Sequence, residues 1–485
     1  MEQVTANQFS SSIFWRFSDL FSRKAIGLVI SIILARLIVP EAYGVIALTT
    51  VFFGFTNIFI LTGFNVALIC KESVSDLDYS TVTTISLSCS AIIYLVCFVF
   101  APLFADFYET SHLCEVLRVM LLSLLFLAIA NVVRAKAMRE MQFKRLSLIS
   151  FTCNVASSIV AVVFAYQGYG VWALVIQQLL ASILDTLLML LVFKWKLSFK
   201  FSHSAAKEMF GFTMGVLGSS FLDFLANNLN GLIIGKKYST TDLGYYDRGN
   251  MFPEVIGANL YGTISNVLLP TLSSCQNDAE RMKRIARKVM SFTAFIIFPI
   301  LFGLIGVSKV FVPLILTEKW IPCIPLLCLC CLYYVINPIK SIGYSVFYAK
   351  GKSRFCMRVE MARVSLMIVG LMLIVVLDAP IHFVVISNIV ICLAVSLFSQ
   401  YYVREILSYT YTELFKDLAP SLFFSLILMV VTYFIGEIEE NRFLIFCIQI
   451  ISGAGIYALL SWGFKVKELA YALEMLSKFS LKRKG

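Results

Sequence analysis

The chain has 485 residues, of which 59% are hydrophobic and only 14% charged, against about 25% charged in an ordinary soluble domain. A membrane-spanning helix takes ~20 mostly apolar residues, so the apolar complement fills about fourteen of them. That excludes a soluble multi-domain enzyme, a secreted disulfide scaffold and a disordered chain.

Taken in chain order, the start (Met1 to Ser12) has neither a basic leader nor a small-residue cleavage site, and no removable signal peptide is expected. Apolar runs with polar breaks then predict fourteen spans. They lie near 12–38, 43–69, 82–104, 114–134, 147–167, 170–193, 209–235, 250–273, 289–311, 322–348, 358–377, 381–402, 418–436 and 443–464. The tail after them is basic and carries Val466, Leu469, Leu473, Leu476 and Phe479 at helical spacing, which suits either an inner-leaflet helix or a positive topological anchor.

The net charge of +11, from 40 basic and 29 acidic residues, reads through topology rather than nucleic-acid binding. The even-numbered connections and the tail hold 27 Lys and Arg, the odd-numbered connections 6. Basic residues collect in cytoplasmic loops, so both termini are expected in the cytoplasm. The thirteen Cys lie scattered in apolar runs, even Cys328, Cys330 and Cys331. They read as small buried hydrophobes rather than metal ligands, and no metal site is expected.

Connections are short, and none carries a recognisable nucleophile, P-loop or paired-carboxylate motif. No catalytic residue and no cofactor is expected, beyond a coupling ion, H+ or Na+. An exit motif recurs: Ala35-Arg36 with Gly44, and Gly235-Lys236 with Gly244, lie 200 residues apart. Each motif joins the first two helices of a six-helix block, which predicts two parallel repeats. The expected domains are therefore an N-lobe over 1–200, a C-lobe over 201–405, two additional helices over 406–464 and a basic tail over 465–485.

The segment Ala35 to Ile69 (ARLIVPEAYGVIALTTVFFGFTNIFILTGFNVALI) resembles the first hairpin of the polysaccharide exporters of the multidrug/oligosaccharidyl-lipid/polysaccharide (MOP) superfamily. The phrase Leu243-Gly244-Tyr245-Tyr246-Asp247-Arg248, with Leu269-Pro270-Thr271-Leu272-Ser273 and Glu318-Lys319-Trp320 behind it, is similar to the Wzx-like flippases in their WzxC-like branch. The resemblance implies an all-α polytopic membrane protein of MATE-like architecture. It implies a flippase, not an enzyme, that moves undecaprenyl-diphosphate-linked oligosaccharide repeat units of O-antigen, capsule or exopolysaccharide to the periplasmic leaflet. Implied partners are that lipid-linked substrate, the bilayer, and a glycan polymerase and chain-length regulator; no nucleic acid is expected. The rival readings are a multidrug/cation antiporter or peptidoglycan-precursor flippase of the same superfamily, and, less favoured, a membrane-embedded polymerase, ligase or acyltransferase. The chain has Thr62 before Gly63, and Asn230-Gly231, where family members often carry charged residues.

Charge inside hydrocarbon is costly, so the few intramembrane charges are the candidate site residues. Arg16, Asp19 and Arg23 share one helical face and would offer two guanidiniums to a diphosphate with Asp19 aligning them; snorkelling at the cytoplasmic end explains them equally. Asp223, Asn227 and Asn230 form a second strip, for sugar hydroxyls or a coupling cation, or for interhelical hydrogen bonds. Lys340 is a lone cation in a Pro-broken span, a candidate diphosphate or sugar contact. Asp185 is a candidate ion partner for Lys340 or a proton site. Glu360 and Arg363, nearer a span end, read as an internal pair. At the periplasmic mouth Arg36 and Lys236 would gate by pairing with Glu41 or Asp242, with simple turn structure as the alternative.

Overall fold

The structure is a computed structural model that describes residues 27–58, 68, 71, 74–110, 112–195, 198–438, 441–466, 468 and 469. Among them there is helix and no strand. Helix α1 is Gly27–Leu37. Then follow α2 Pro40–Asn57, α3 Asp76–Phe107, α4 Leu113–Leu121, α5 Ser123–Arg139, α6 Phe143–Tyr166, α7 Val171–Val192 and α8 His203–Lys237. The second half holds α9 Thr240–Ser273, α10 Ala279–Ile315, a 3₁₀ turn Glu318–Cys323, α11 Ile324–Ala349, α12 Ser353–Val376, α13 His382–Leu407, α14 Tyr411–Ile435 and α15 Arg442–Gly463.

Ten helical segments among the described residues are long and apolar enough to cross a membrane. They fall on the third to sixth and ninth to fourteenth expected spans. The other four positions are occupied by α1, α2 and the 35- and 34-residue helices α8 and α9. The protein is a multi-pass membrane protein whose exposed apolar faces, such as Leu95, Val99 and Leu103 on α3, are the surface lipid requires.

The chain divides into two compact units, Met1–Gly244 and Tyr245–Gly485. In the first, α2 packs on α4, α7 and α8, α3 packs on α4, α5 and α8, and α7 packs on α5 and α6. The buried face of α3 is unusually polar: Thr83 and Ser90 bond back to the carbonyls of Tyr79 and Ser86, and Ser80 donates to the carbonyls of Ser198 and Lys200. The Thr83 and Ser90 hydroxyls satisfy themselves on their own helix, and small polar residues of this kind let helices approach closely.

The sequence repeat has a backbone counterpart within this unit. Helix α1 ends at Leu37 and α8 at Lys237; α2 begins at Pro40 and α9 at Thr240. Both breaks fall at the same offset of 200. The first restarts on Pro40, whose fixed φ and missing N–H suit a helix start. The second restarts on a Ser239 cap, whose hydroxyl accepts from the Asp242 N–H at 3.0 Å and donates to Asp242 Oδ2 at 2.7 Å. Gly44 and Gly244 lie at the crossing of the two restarts. A β-carbon on Gly44 would overlap the Thr240 carbonyl, and one on Gly244 the Pro40 carbonyl.

In the second unit α10 is the central helix, packed on α11, α13, α14 and α15. Its start is capped by Asp278, which accepts from the Arg281 N–H at 2.9 Å. Midway, Gly306 lets α14 approach until a β-carbon there would stand 2.7 Å from the Met429 carbonyl. Polar clamps close both ends of the α10–α14 pair. At one end Arg287 grips Asp417 in a two-pronged contact at 2.7 and 2.8 Å and Glu413 at 3.0 Å, with Lys283 also on Glu413 at 3.0 Å. At the other, Lys309 donates to Glu437 at 2.5 Å and to the Tyr433 hydroxyl at 2.8 Å. That ammonium holds the Glu437 carboxyl below its ordinary range. The 22 residues from Arg287 to Lys309 rise about 33 Å, close to the ~30 Å of bilayer hydrocarbon.

Candidate functional site

The charges that sequence reading singled out fall into three groups. Arg16, Asp19 and Arg23 lie outside the described residues, and so does the side chain of Asp223, although helix α8 runs through that position. On the same helix Asn227 is exposed, while the side-chain amide oxygen of Asn230 (Oδ1) is buried with no hydrogen-bond partner among the described residues.

At the exits, Arg36 is exposed on the last turn of α1 and Glu41 on the first turn of α2. Lys236 reaches neither Asp242 nor Glu41. Its ammonium pairs with Glu109, just past the end of α3, at 3.0 Å, and lies 4.8 Å from the Phe107 ring centre. Asp242 is engaged with the Ser239 hydroxyl.

Asp185 on α7 is 7% exposed, and the Arg134 guanidinium on α5 donates to it at 2.6 Å. Arg134 also donates to the Asn131 side chain at 3.2 Å. Arg134 closes the fourth expected span, but the helix continues past it to Arg139. It sits in the penultimate turn of α5, where its side chain folds back onto the helix pair. Asp185 is thus matched within its own unit, one charge for one charge.

Lys340 is not matched in that way. Helices α11 and α12 are antiparallel neighbours joined by a turn of three residues, Lys350 to Lys352. Lys340 lies nine residues before the end of α11, and Glu360 and Arg363 lie seven and ten residues after the start of α12. At 1.5 Å per residue all three therefore sit about 10–15 Å in from the basic turn. The Glu360 carboxylate takes both cations: Arg363 Nε donates to one oxygen at 2.6 Å, and Lys340 Nζ lies 3.4 Å from the other. The Tyr344 hydroxyl donates to the latter oxygen at 2.7 Å. Lys340 and Arg363 keep only 12% and 14% of their side-chain surface exposed, whereas Glu360 keeps 32%.

This group carries two positive charges and one negative among apolar helices. A lone charge is expensive there, and an Arg–Lys pair on one carboxylate leaves donors to spare: five N–H on the guanidinium, three on the ammonium. That excess of donors and of positive charge is chemically suited to an anion rather than a cation. From the sequence Lys340 is expected as a solitary cation and Glu360 with Arg363 as a separate internal pair; their similar depth across a short hairpin is the sequence signal that unites the three.

The two-unit helical fold is that of a multi-pass membrane protein resembling the solved structure of the lipid II flippase MurJ in an inward closed conformation, with a TM-score of 0.75 at 18% identity over 93% of this chain and 98% of that one. The chain belongs to the polysaccharide biosynthesis protein family, whose model matches residues 33–325, more than half of its length. It is 24% identical over 324 residues to the lipopolysaccharide biosynthesis protein WzxC of Escherichia coli (66% of this chain, 64% of the relative). To the teichuronic acid biosynthesis protein TuaB of Bacillus subtilis it is 23% identical over 301 residues, 62% of each chain. The chain spans less than two thirds of the length of these curated relatives.

Proposed function

We propose that this protein is a flippase that carries undecaprenyl-diphosphate-linked oligosaccharide repeat units from the cytoplasmic to the periplasmic leaflet of a bacterial inner membrane by alternating access, without chemical change to the substrate. The observation that carries the reading is the net-positive Lys340–Glu360–Arg363 group inside apolar helices, in a chain of the polysaccharide biosynthesis family. A diphosphate cannot cross ~30 Å of hydrocarbon unaided, so its carrier must supply cations within the membrane. The names of the two relatives point to a glycan as the rest of the cargo. A multidrug/cation antiporter would need the opposite sign at such a place.

In this reading both termini face the cytoplasm, two six-helix lobes move against each other, and Arg16 and Arg23 add to the cationic lining. Asn227 and Asn230 serve the sugars. A coupling ion, H+ or Na+, drives the cycle, and a polymerase and chain-length regulator receive the product. The test is transfer of fluorescent undecaprenyl-diphosphate-oligosaccharide between leaflets of proteoliposomes. Transfer above protein-free vesicles is expected, and its absence with well-folded protein would sink the reading.

A further inference from the structure

We propose that Glu360 is a built-in counter-anion: it occupies Lys340 and Arg363 while the site is empty, and a diphosphate headgroup displaces it on binding. This rests on the flippase reading and names which residues take the headgroup and what vacates them.

Three observations point the same way. First, the group is not a neutral pair. One carboxylate faces a guanidinium at 2.6 Å and an ammonium at 3.4 Å, so one positive charge is left over in a place where uncompensated charge is costly. Second, the contacts are unequal. Arg363 engages through Nε, the edge that leaves its terminal nitrogens for another planar or tetrahedral oxyanion, and the Lys340 contact is long for a charge-assisted bond. Third, the Glu360 side chain is the most exposed of the three, at 32% against 12% and 14%, so it is the member of the group with most room to move.

A diphosphate brings more charge than one carboxylate and more acceptor oxygens, so it outbids Glu360 for the same donors. Glu360 can then retire to the Tyr344 hydroxyl, which already donates to it at 2.7 Å. When the headgroup leaves, the carboxylate closes back over the cations. The device keeps the empty carrier from holding a bare pair of cations, and it lowers affinity enough for cargo to be released.

The device makes a prediction of sign that a purely structural ion pair does not share. In detergent-solubilised full-length protein, binding of radiolabelled farnesyl diphosphate is measured for wild type, Glu360→Gln, Glu360→Asp, Lys340→Gln and Arg363→Gln. Removing the competitor in Glu360→Gln is expected to tighten binding about tenfold, with a smaller gain in Glu360→Asp, whose shorter carboxylate reaches the cations less well. Lys340→Gln and Arg363→Gln are each expected to weaken it about tenfold. Inorganic diphosphate should show the same order and farnesol none. Unchanged or weaker binding in Glu360→Gln, or in Glu360→Asp should the first variant fail to fold, overturns the proposal, as does an equal gain for farnesol. The outcome is separable from the flippase reading. Wild type that binds farnesyl diphosphate but moves no lipid-linked oligosaccharide counts against transport, whereas transport with the wrong sign at Glu360 counts against the counter-anion alone.

Discussion

Gly44 and Gly244 meet reciprocally: the site of a β-carbon on Gly44 falls on the Thr240 carbonyl, and that on Gly244 falls on the Pro40 carbonyl and 3.2 Å from the Gly44 nitrogen. Each glycine thus sits on the helix start that carries the other. Two helix N-termini cross backbone to backbone, and any side chain at either position forces the chains apart.

Gly44→Ala and Gly244→Ala are therefore expected to destabilise the protein by about 1–3 kcal/mol each, the usual cost of overpacking. Gly455→Ala is the control, since nothing lies within 4 Å of its added methyl, and in a helix interior it should be neutral or slightly stabilising. Thermal unfolding in detergent reads all three. Equal melting temperatures for Gly44→Ala and Gly455→Ala would refute the close crossing.

The Arg287 clamp is worth more than its exposed counterpart between Arg442 and Glu318. Removing Arg287 leaves Asp417, whose side chain is 11% exposed, without its counter-charge and with the Tyr409 hydroxyl still donating to it; the loss should be about 1–3 kcal/mol once the partial exposure of Arg287 is discounted. The Arg442–Glu318 pair has more than half of both side chains in the open, so Arg442→Ala should cost under about 1 kcal/mol. A larger fall in melting temperature for Arg442→Ala than for Arg287→Ala would reverse that ranking.

Asp185→Asn leaves Arg134 facing an amide, and the protein should lose stability. Arg134→Gln/Asp185→Asn together should recover most of the loss, because the pair is charge-balanced within its own helices. Measured as a double-mutant cycle, the coupling is expected at 1–3 kcal/mol. A double variant as unstable as Asp185→Asn alone would refute the pairing.

The positions of the apolar helices were legible in the sequence, but their lengths were not. The ninth span was expected over 289–311, yet α10 runs from Ala279 to Ile315. Hydropathy stops where Arg281, Arg284 and Arg287 begin, whereas backbone hydrogen bonding continues through them, because basic side chains are good helix formers. The fourth span is two helices, broken at Leu122, and no Gly or Pro marks the break. The fourth expected span likewise ends at 134 although α5 runs on to Arg139, because charge marks the end of an apolar run but not of a helix. Individual charges could be named from the sequence, but partners could not, since Lys236 finds Glu109 127 residues away and Asp185 finds Arg134 51 residues away. Only the Lys340 hairpin was within reach of counting, because residues equidistant from a tight turn share a depth.

The clamps at Arg287 and Lys309 bear on how the second unit sits in lipids of differing thickness. A helix pair held by packing alone can slide past its neighbour to match its surroundings. With ion pairs set 22 residues apart along α10, sliding by even one turn would break both. A thinner bilayer must then be met by leaning α10 and α14 over together, which makes the pair a strut whose tilt, rather than its internal register, follows the membrane.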